Sequence, residues 1–230
     1  MALTVHVWSD VVCPWCYIGK RRFEEAVQKF GEPVEVEWHS FELNQARPAP
    51  EAKKLGYVEW LGKKFGDVNR AGAMIDQVSS VAAKEGLQFK LRDAVPAHTF
   101  DAHRLLQFAA SEGKGGELHE KLFDAHFTRS VDLNDHDALA SLAGEVGLDV
   151  DRAAAVLASD DFSAEVRADE ADARSLGISG VPFFVIGRYG VSGAQSADTF
   201  LGALDRAFTE GSLPAPEDDA EGAACTPETC

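Results

Sequence analysis

Cysteine is scarce in this chain. Four occur among 230 residues, in two close pairs: Cys13 with Cys16, and Cys225 with Cys230. A secreted domain stapled by disulfides scatters its cysteines through the core, so this usage points to redox or metal chemistry in a reducing compartment. Long apolar runs are also missing. No segment approaches the roughly 20 apolar residues of a membrane-spanning helix. The opening residues, Met1 to His6, have neither a basic start nor an apolar leader core and run straight into strand-like sequence, so a cytoplasmic protein is expected. Basic residues are outnumbered, 22 Lys and Arg against 38 Asp and Glu, for a net charge of -16. Such a surface repels phosphate backbones and anionic headgroups, so nucleic acid and membrane are not expected partners. Signatures of other chemistries are absent too. Gly113-Lys114-Gly115-Gly116 lacks the spacing of a phosphate loop, and neither G-x-S-x-G nor H-E-x-x-H occurs.

What is present fits one domain of ordinary size, or one carrying a large insertion: 45% of residues are hydrophobic. Thr4 to Trp8 alternate as a strand, and Tyr17 to Phe30 read as a helix. A second strand is predicted over 33–41, with Val34, Val36 and Trp38 on one face. From Glu51 to Leu176 the pattern is helical, with one helix expected over His98–Ser111 and another capped by Asp135 ahead of the apolar stripe Ala138, Leu139, Leu142 and Val146. Gly86, Gly113, Gly147 and Gly177 punctuate the stretch. Strand character returns at Val181 to Ile186, turns at Gly187-Arg188 and runs back through Tyr189 to Gly193. A last helix begins after Ser196, and the segment after Gly211 is too poor in large apolar residues to fold alone.

Cys13-Pro14-Trp15-Cys16 joins the first strand to the first helix. Two thiols at this spacing can close into a disulfide and reopen without refolding the chain. At a helix N-terminus the backbone dipole favours thiolate over thiol. Pro14 is tolerated there because that backbone nitrogen has no helical partner. Strand, C-x-x-C and helix together form the pattern of a thioredoxin-like redox site. Cys13 is expected to be the exposed attacking thiol, and Cys16 the shielded resolving one. Far along the chain, Val181-Pro182 opens a strand, where proline is also acceptable for backbone reasons alone.

Four motifs carry a family resemblance. They are Ser9 to Gly19, Trp38-His39-Ser40-Phe41-Glu42-Leu43, Ala102-His103-Arg104-Leu105, and Gly177 to Phe184. With them the chain resembles the DsbA family of thioredoxin-fold oxidoreductases, most closely its FrnE-like branch, over about Leu3 to Phe208. The resemblance implies an α/β thioredoxin fold with a large all-helical insertion between the second and third strands. Residues 1–48 and 177–210 would form the thioredoxin-like domain, 49–176 the insertion, and 211–230 a flexible acidic tail. It implies dithiol–disulfide exchange of reductase or isomerase type by Cys13 and Cys16. Pro182 would be a cis-proline, with Pro14, Trp15, Val181 and Pro182 contacting an extended substrate. No cofactor is implied beyond glutathione as a reductant. Partners would be a disulfide-containing protein or a small thiol, with the thioredoxin or glutathione system supplying electrons. Related 2-hydroxychromene-2-carboxylate isomerases and kappa-like glutathione transferases place Ser where this chain has Cys13, which favours redox exchange here over small-molecule isomerisation. A chaperone-like client binder is a further alternative. DsbA has His where this chain has Trp15. Trp15 brings no positive charge to a thiolate, so a less oxidising couple is expected.

Cys225 and Cys230 allow three readings: a passive tail, an auxiliary redox pair exchanging with Cys13 and Cys16, or a zinc site built from all four thiols. The tail resembles the C-terminal C-x4-C of FrnE-like proteins. The seven histidines show no i,i+4 metal pair. They read as core or surface residues, and His39, on the second strand near the active-site sheet, reads as a satisfied strand histidine, with tuning of the thiols as the alternative.

Overall fold

The computed structural model describes residues 2–46 and 55–211. The expected tail, with Cys225 and Cys230, lies outside them.

Strand β1 (Leu3–Ser9) pairs in parallel with β2 (Val34–Ser40), Leu3 opposite Val34 and Ser9 opposite Ser40. Its other side pairs antiparallel with β3 (Phe183–Ile186), which turns back into β4 (Tyr189–Ser192). The sheet order is therefore β2-β1-β3-β4. Alternation decides its two faces. Val5, Val7, Phe184 and Ile186 point to a core shared with Phe23 of helix α1 (Pro14–Phe30) and with Phe200 and Leu204 of helix α9 (Ala197–Gly211). Phe23, Phe184 and Phe200 are fully buried, each worth about 1.5–3 kcal/mol of apolar transfer. On the opposite face Trp8 packs with Ile178, Phe183 and Ala173 of helix α8 (Ser163–Ser175).

Between β2 and β3 the described chain is helical: α2 (Tyr57–Phe65), α3 (Val68–Lys84), α4 (Phe100–Ser111), α5 (Gly115–Phe127), α6 (His136–Glu145), α7 (Val150–Ala158) and α8. Aspartates start several of these helices. Asp67 accepts from the backbone of Asn69 and Arg70, and Asp135 from that of Asp137 and Ala138. Leu105, Leu118, Leu122, Leu139 and Leu142 build the core of this block, and Val11 of the thiol loop packs into it. The expected helical insertion into a thioredoxin fold is therefore present.

The sequence reading extends two elements too far. The third strand starts at Phe183, not Val181: Pro182 has no N–H for the ladder, and the Val181 carbonyl is turned toward Cys13. The fourth helix starts at Phe100 rather than His98, whose backbone N–H instead bonds Asn134 (3.0 Å). Arg104, in the Ala102–Leu105 motif, is buried. Its guanidinium donates to the carbonyls of Val156 (2.6 Å), Ser159 (2.9 Å) and Asp161 (3.0 Å), which closes the C-terminal end of α7.

Candidate active site

The thiol loop is set by one buried carboxylate. Asp10, fully shielded at the end of β1, accepts from the backbone N–H of Leu43 (2.8 Å) and, more weakly, of Val12 (3.4 Å). Its carbonyl accepts from the Cys13 N–H (2.9 Å). Asp10 thus ties the loop entering α1 to the segment leaving β2. Cys13 occupies the cap position of α1 in extended conformation and Pro14 the first helical turn. Cys16 follows one turn later, its N–H bonded to the Cys13 carbonyl (3.0 Å). Both thiols are free and unbridged.

Cys13 departs from expectation. It is 4% exposed, little more than Cys16 at 2%. The sequence reading placed it at an open helix end, but the helical block roofs that end with a cluster including Tyr57, Ile75, Val78 and Leu91. Trp15 is the part of the motif that projects, 40% exposed.

The distant Val181-Pro182 meets this motif directly. The peptide bond between them is cis, and the Cys13 thiol donates to the Val181 carbonyl (3.6 Å). Gly19 of α1 makes room for the approach, since a Cβ there would sit 3.0 Å from Pro182 Cγ. The structure thus brings Cys13, Pro14, Trp15, Cys16, Val181 and Pro182 to one place.

Burial, then the adjacent Cys13, push the Cys16 thiol well above its ordinary range. Cys16 is held as a thiol until a partner draws its proton. Burial also raises the Tyr57 phenol, with Cys13 and Asp10 adding to it.

A cleft of about 290 Å³ opens beside Cys13. Among the described residues its walls include Trp15, Tyr57, Trp60, Met74, Ile75 and His126. It is largely apolar, and its volume has room for a bulky side chain or a small aromatic ring beside the thiol.

Three buried histidines of α4 and α5 around the thiol loop went unrecognised in the sequence as a group. His103, His119 and His126 are all about 1% exposed. His119 Nε2 meets the Ser9 hydroxyl (3.1 Å), and His103 Nε2 lies 3.5 Å from Asp10. Neither ring nitrogen of His126 has a hydrogen-bond partner. Burial lowers His126 to about 4, with Asp10 opposing, and takes His119 well below its usual value. Their spacing of seven on α5 gave no sign of this, because the group forms only when α4 and α5 pack on the thiol loop.

Residues 4–205 match the family described as the DSBA-like thioredoxin domain. The chain is 34% identical over 211 residues to YwbO of Bacillus subtilis, itself uncharacterised, covering 88% of this chain and 96% of that protein. A solved structure from Streptomyces coelicolor, described as a "probable DsbA oxidoreductase", is 42% identical with a TM-score of 0.86, covering 99% of this chain and 98% of that one. The cytosolic disulfide reductase DsbM of Pseudomonas aeruginosa, solved with glutathione, shares the fold at 20% identity and a TM-score of 0.60, with 91% of this chain and 98% of that one covered.

Proposed function

The chain belongs to the DSBA-like thioredoxin-domain family, and on that premise we propose that it is a thiol–disulfide oxidoreductase of reductase or isomerase type, with Cys13 as the attacking thiol. The observation carrying this reading is the contact of the Cys13 thiol with the Val181 carbonyl beside the buried Cys16. It fits a dithiol that receives an extended substrate.

In the reaction, the Cys13 thiolate attacks one sulfur of a substrate disulfide. A mixed disulfide forms, and the other substrate sulfur leaves and takes a proton. Cys16 then loses its proton and attacks Cys13. The second substrate thiol departs, and the Cys13–Cys16 disulfide holds the two electrons' worth of oxidation. A dithiol such as reduced thioredoxin, or two molecules of glutathione, returns the pair to the reduced state. Val181 offers its backbone to the substrate, Pro14 and Pro182 shape the surface around Cys13, and Trp15 forms the lip of the cleft. The substrate class is a disulfide-bearing protein or a small disulfide.

Reduction of insulin by a thiol donor tests this. Activity should require Cys13 and fall to background in Cys13→Ser. The apolar cleft also favours a second reading, glutathione-dependent isomerisation of an aromatic small molecule. Such activity would survive Cys16→Ser, whereas the complete redox cycle would not. A client-holding role without catalysis would leave protection from aggregation intact in Cys13→Ser.

A further inference from the structure

On the sheet face opposite α1 and α9, a second group of side chains converges. His6 and Glu37 are paired across β1 and β2, and His39 lies two residues beyond Glu37 on the same face. His6 Nδ1 is 3.1 Å from His39 Nε2 and 3.2 Å from a Glu37 carboxylate oxygen. One donor atom from each residue lies within 4.8 Å of the other two.

The proton arrangement explains why this matters. His39 Nδ1 faces the Asp169 carboxylate at 2.7 Å. A carboxylate only accepts, so that nitrogen carries the proton and donates. His39 Nε2 is then a lone-pair donor aimed into the cluster. Glu37 presents a second lone pair to the same spot. Both compete for the single N–H that His6 Nδ1 can supply. Three electron-pair donors therefore surround one proton, and a divalent cation can replace it.

Asp169 is held in turn. Its other oxygen accepts from the Ser40 N–H (2.7 Å) and from the Gln107 amide (2.6 Å). Trp8 stacks on the His39 ring with centroids 4.4 Å apart. The ring is thus fixed in tautomer and in plane, as metal-binding histidines are when a carboxylate backs them. A tetrahedral zinc with bonds of about 2.0–2.1 Å spaces its ligands by roughly 3.4 Å. The two separations from His6 Nδ1, 3.1 and 3.2 Å, need open by only a few tenths of an ångström, and the Glu37 carboxylate, within 4.8 Å of His39 Nε2, adjusts by side-chain rotation. Glu37, His39 and Asp169 also border a cavity of about 430 Å³ between β2, α4 and α5, which supplies an entry path and room for a coordinated water.

We infer that His6, Glu37 and His39 form a binding site for a divalent transition metal of the zinc class, separate from the thiols. His6 would ligate through Nδ1, His39 through Nε2 and Glu37 through a carboxylate oxygen, with water completing the shell. Asp169 acts as a positioning residue for His39.

The test uses the full, untagged chain with Cys13, Cys16, Cys225 and Cys230 all changed to Ser, so that no thiol competes. After chelator treatment it is dialysed against zinc chloride, and bound metal and melting temperature are measured. The account expects one zinc per chain and a rise in melting temperature. His6→Ala, at a partly exposed side chain, and Glu37→Gln, at an exposed one, should each abolish binding and the zinc-induced thermal shift, measured against that variant's own metal-free melting temperature. Asp169→Asn should weaken binding about 10–100-fold. Absence of stoichiometric zinc in the parent, or zinc retained at full occupancy in both His6→Ala and Glu37→Gln, would overturn the proposal.

Discussion

The Cys13 thiol and the Val181 carbonyl, 168 positions apart in sequence, meet at 3.6 Å. Gly19 permits the meeting. Elsewhere in a helix, replacing Gly by Ala gains about 1 kcal/mol. At Gly19 the new Cβ would press on Pro182 Cγ at 3.0 Å, with Ala194 at ordinary contact distance (3.5 Å) leaving it no room to move away. Gly19→Ala is therefore expected to lose about 1–2 kcal/mol, measured by urea unfolding, because overpacking outweighs propensity. Insulin reduction should fall with it. A gain in stability with full activity would show that the approach is not tight.

Acid should destabilise the fold through its buried histidines. His126 is lowered to about 4 and His119 is lowered as well. In the unfolded chain each titrates near 6.5. Below that pH the unfolded state binds protons that the folded state refuses, so stability is full above about 6.5 and falls toward 4. The slope should approach two protons, about 2.7 kcal/mol per pH unit. His126→Phe removes one of them, worth about 2 kcal/mol at pH 5. Urea unfolding between pH 7 and pH 4.5 measures both slopes, and equal slopes would contradict the assignment.

The cleft beside Cys13 should sort substrates by size and polarity. Trp60→Ala and Met74→Asp alter its wall without touching either thiol. Each should raise KM for an apolar disulfide peptide by roughly 5–30-fold, the effect of about 1–2 kcal/mol of lost binding. The rate with the small, polar disulfide of oxidised glutathione should change less than twofold. A parallel loss on both substrates would place the cleft outside the binding path.

Trp15 should set a mild couple. Replacing it with His puts a ring that can carry positive charge beside the thiol loop, which favours the reduced, thiolate-bearing form. Trp15→His should shift the equilibrium with glutathione toward the dithiol by roughly 3–5-fold, read from trapped thiols. No shift would mean that the neighbouring charge is screened.

Local signals made much of this legible. Alternation marked the inward faces of β1 and β2, Asp135 marked the start of α6, and Cys13-Pro14 marked the start of α1. The fold and the partnership of Cys13 with Pro182 followed from the family resemblance of those motifs. What stayed hidden depends on how distant elements pack. Cys13 reads as exposed because nothing nearby in sequence covers it; α2 and α3 do so from across the chain. His6, Glu37 and His39 are ordinary strand residues until the parallel register sets His6 against Glu37. The buried histidine group needs α4 and α5 in place.

The most direct measurement is capture of the first covalent intermediate. Full-length Cys16→Ser is mixed with a disulfide-bonded peptide, quenched in acid and mapped by mass spectrometry of the intact chain and its fragments. The account predicts one peptide per chain, attached at Cys13, at a rate unchanged when Cys225 and Cys230 are also replaced by Ser. Attachment at Cys225 or Cys230 instead, or no adduct under conditions where the unaltered protein reduces the same peptide, would contradict it.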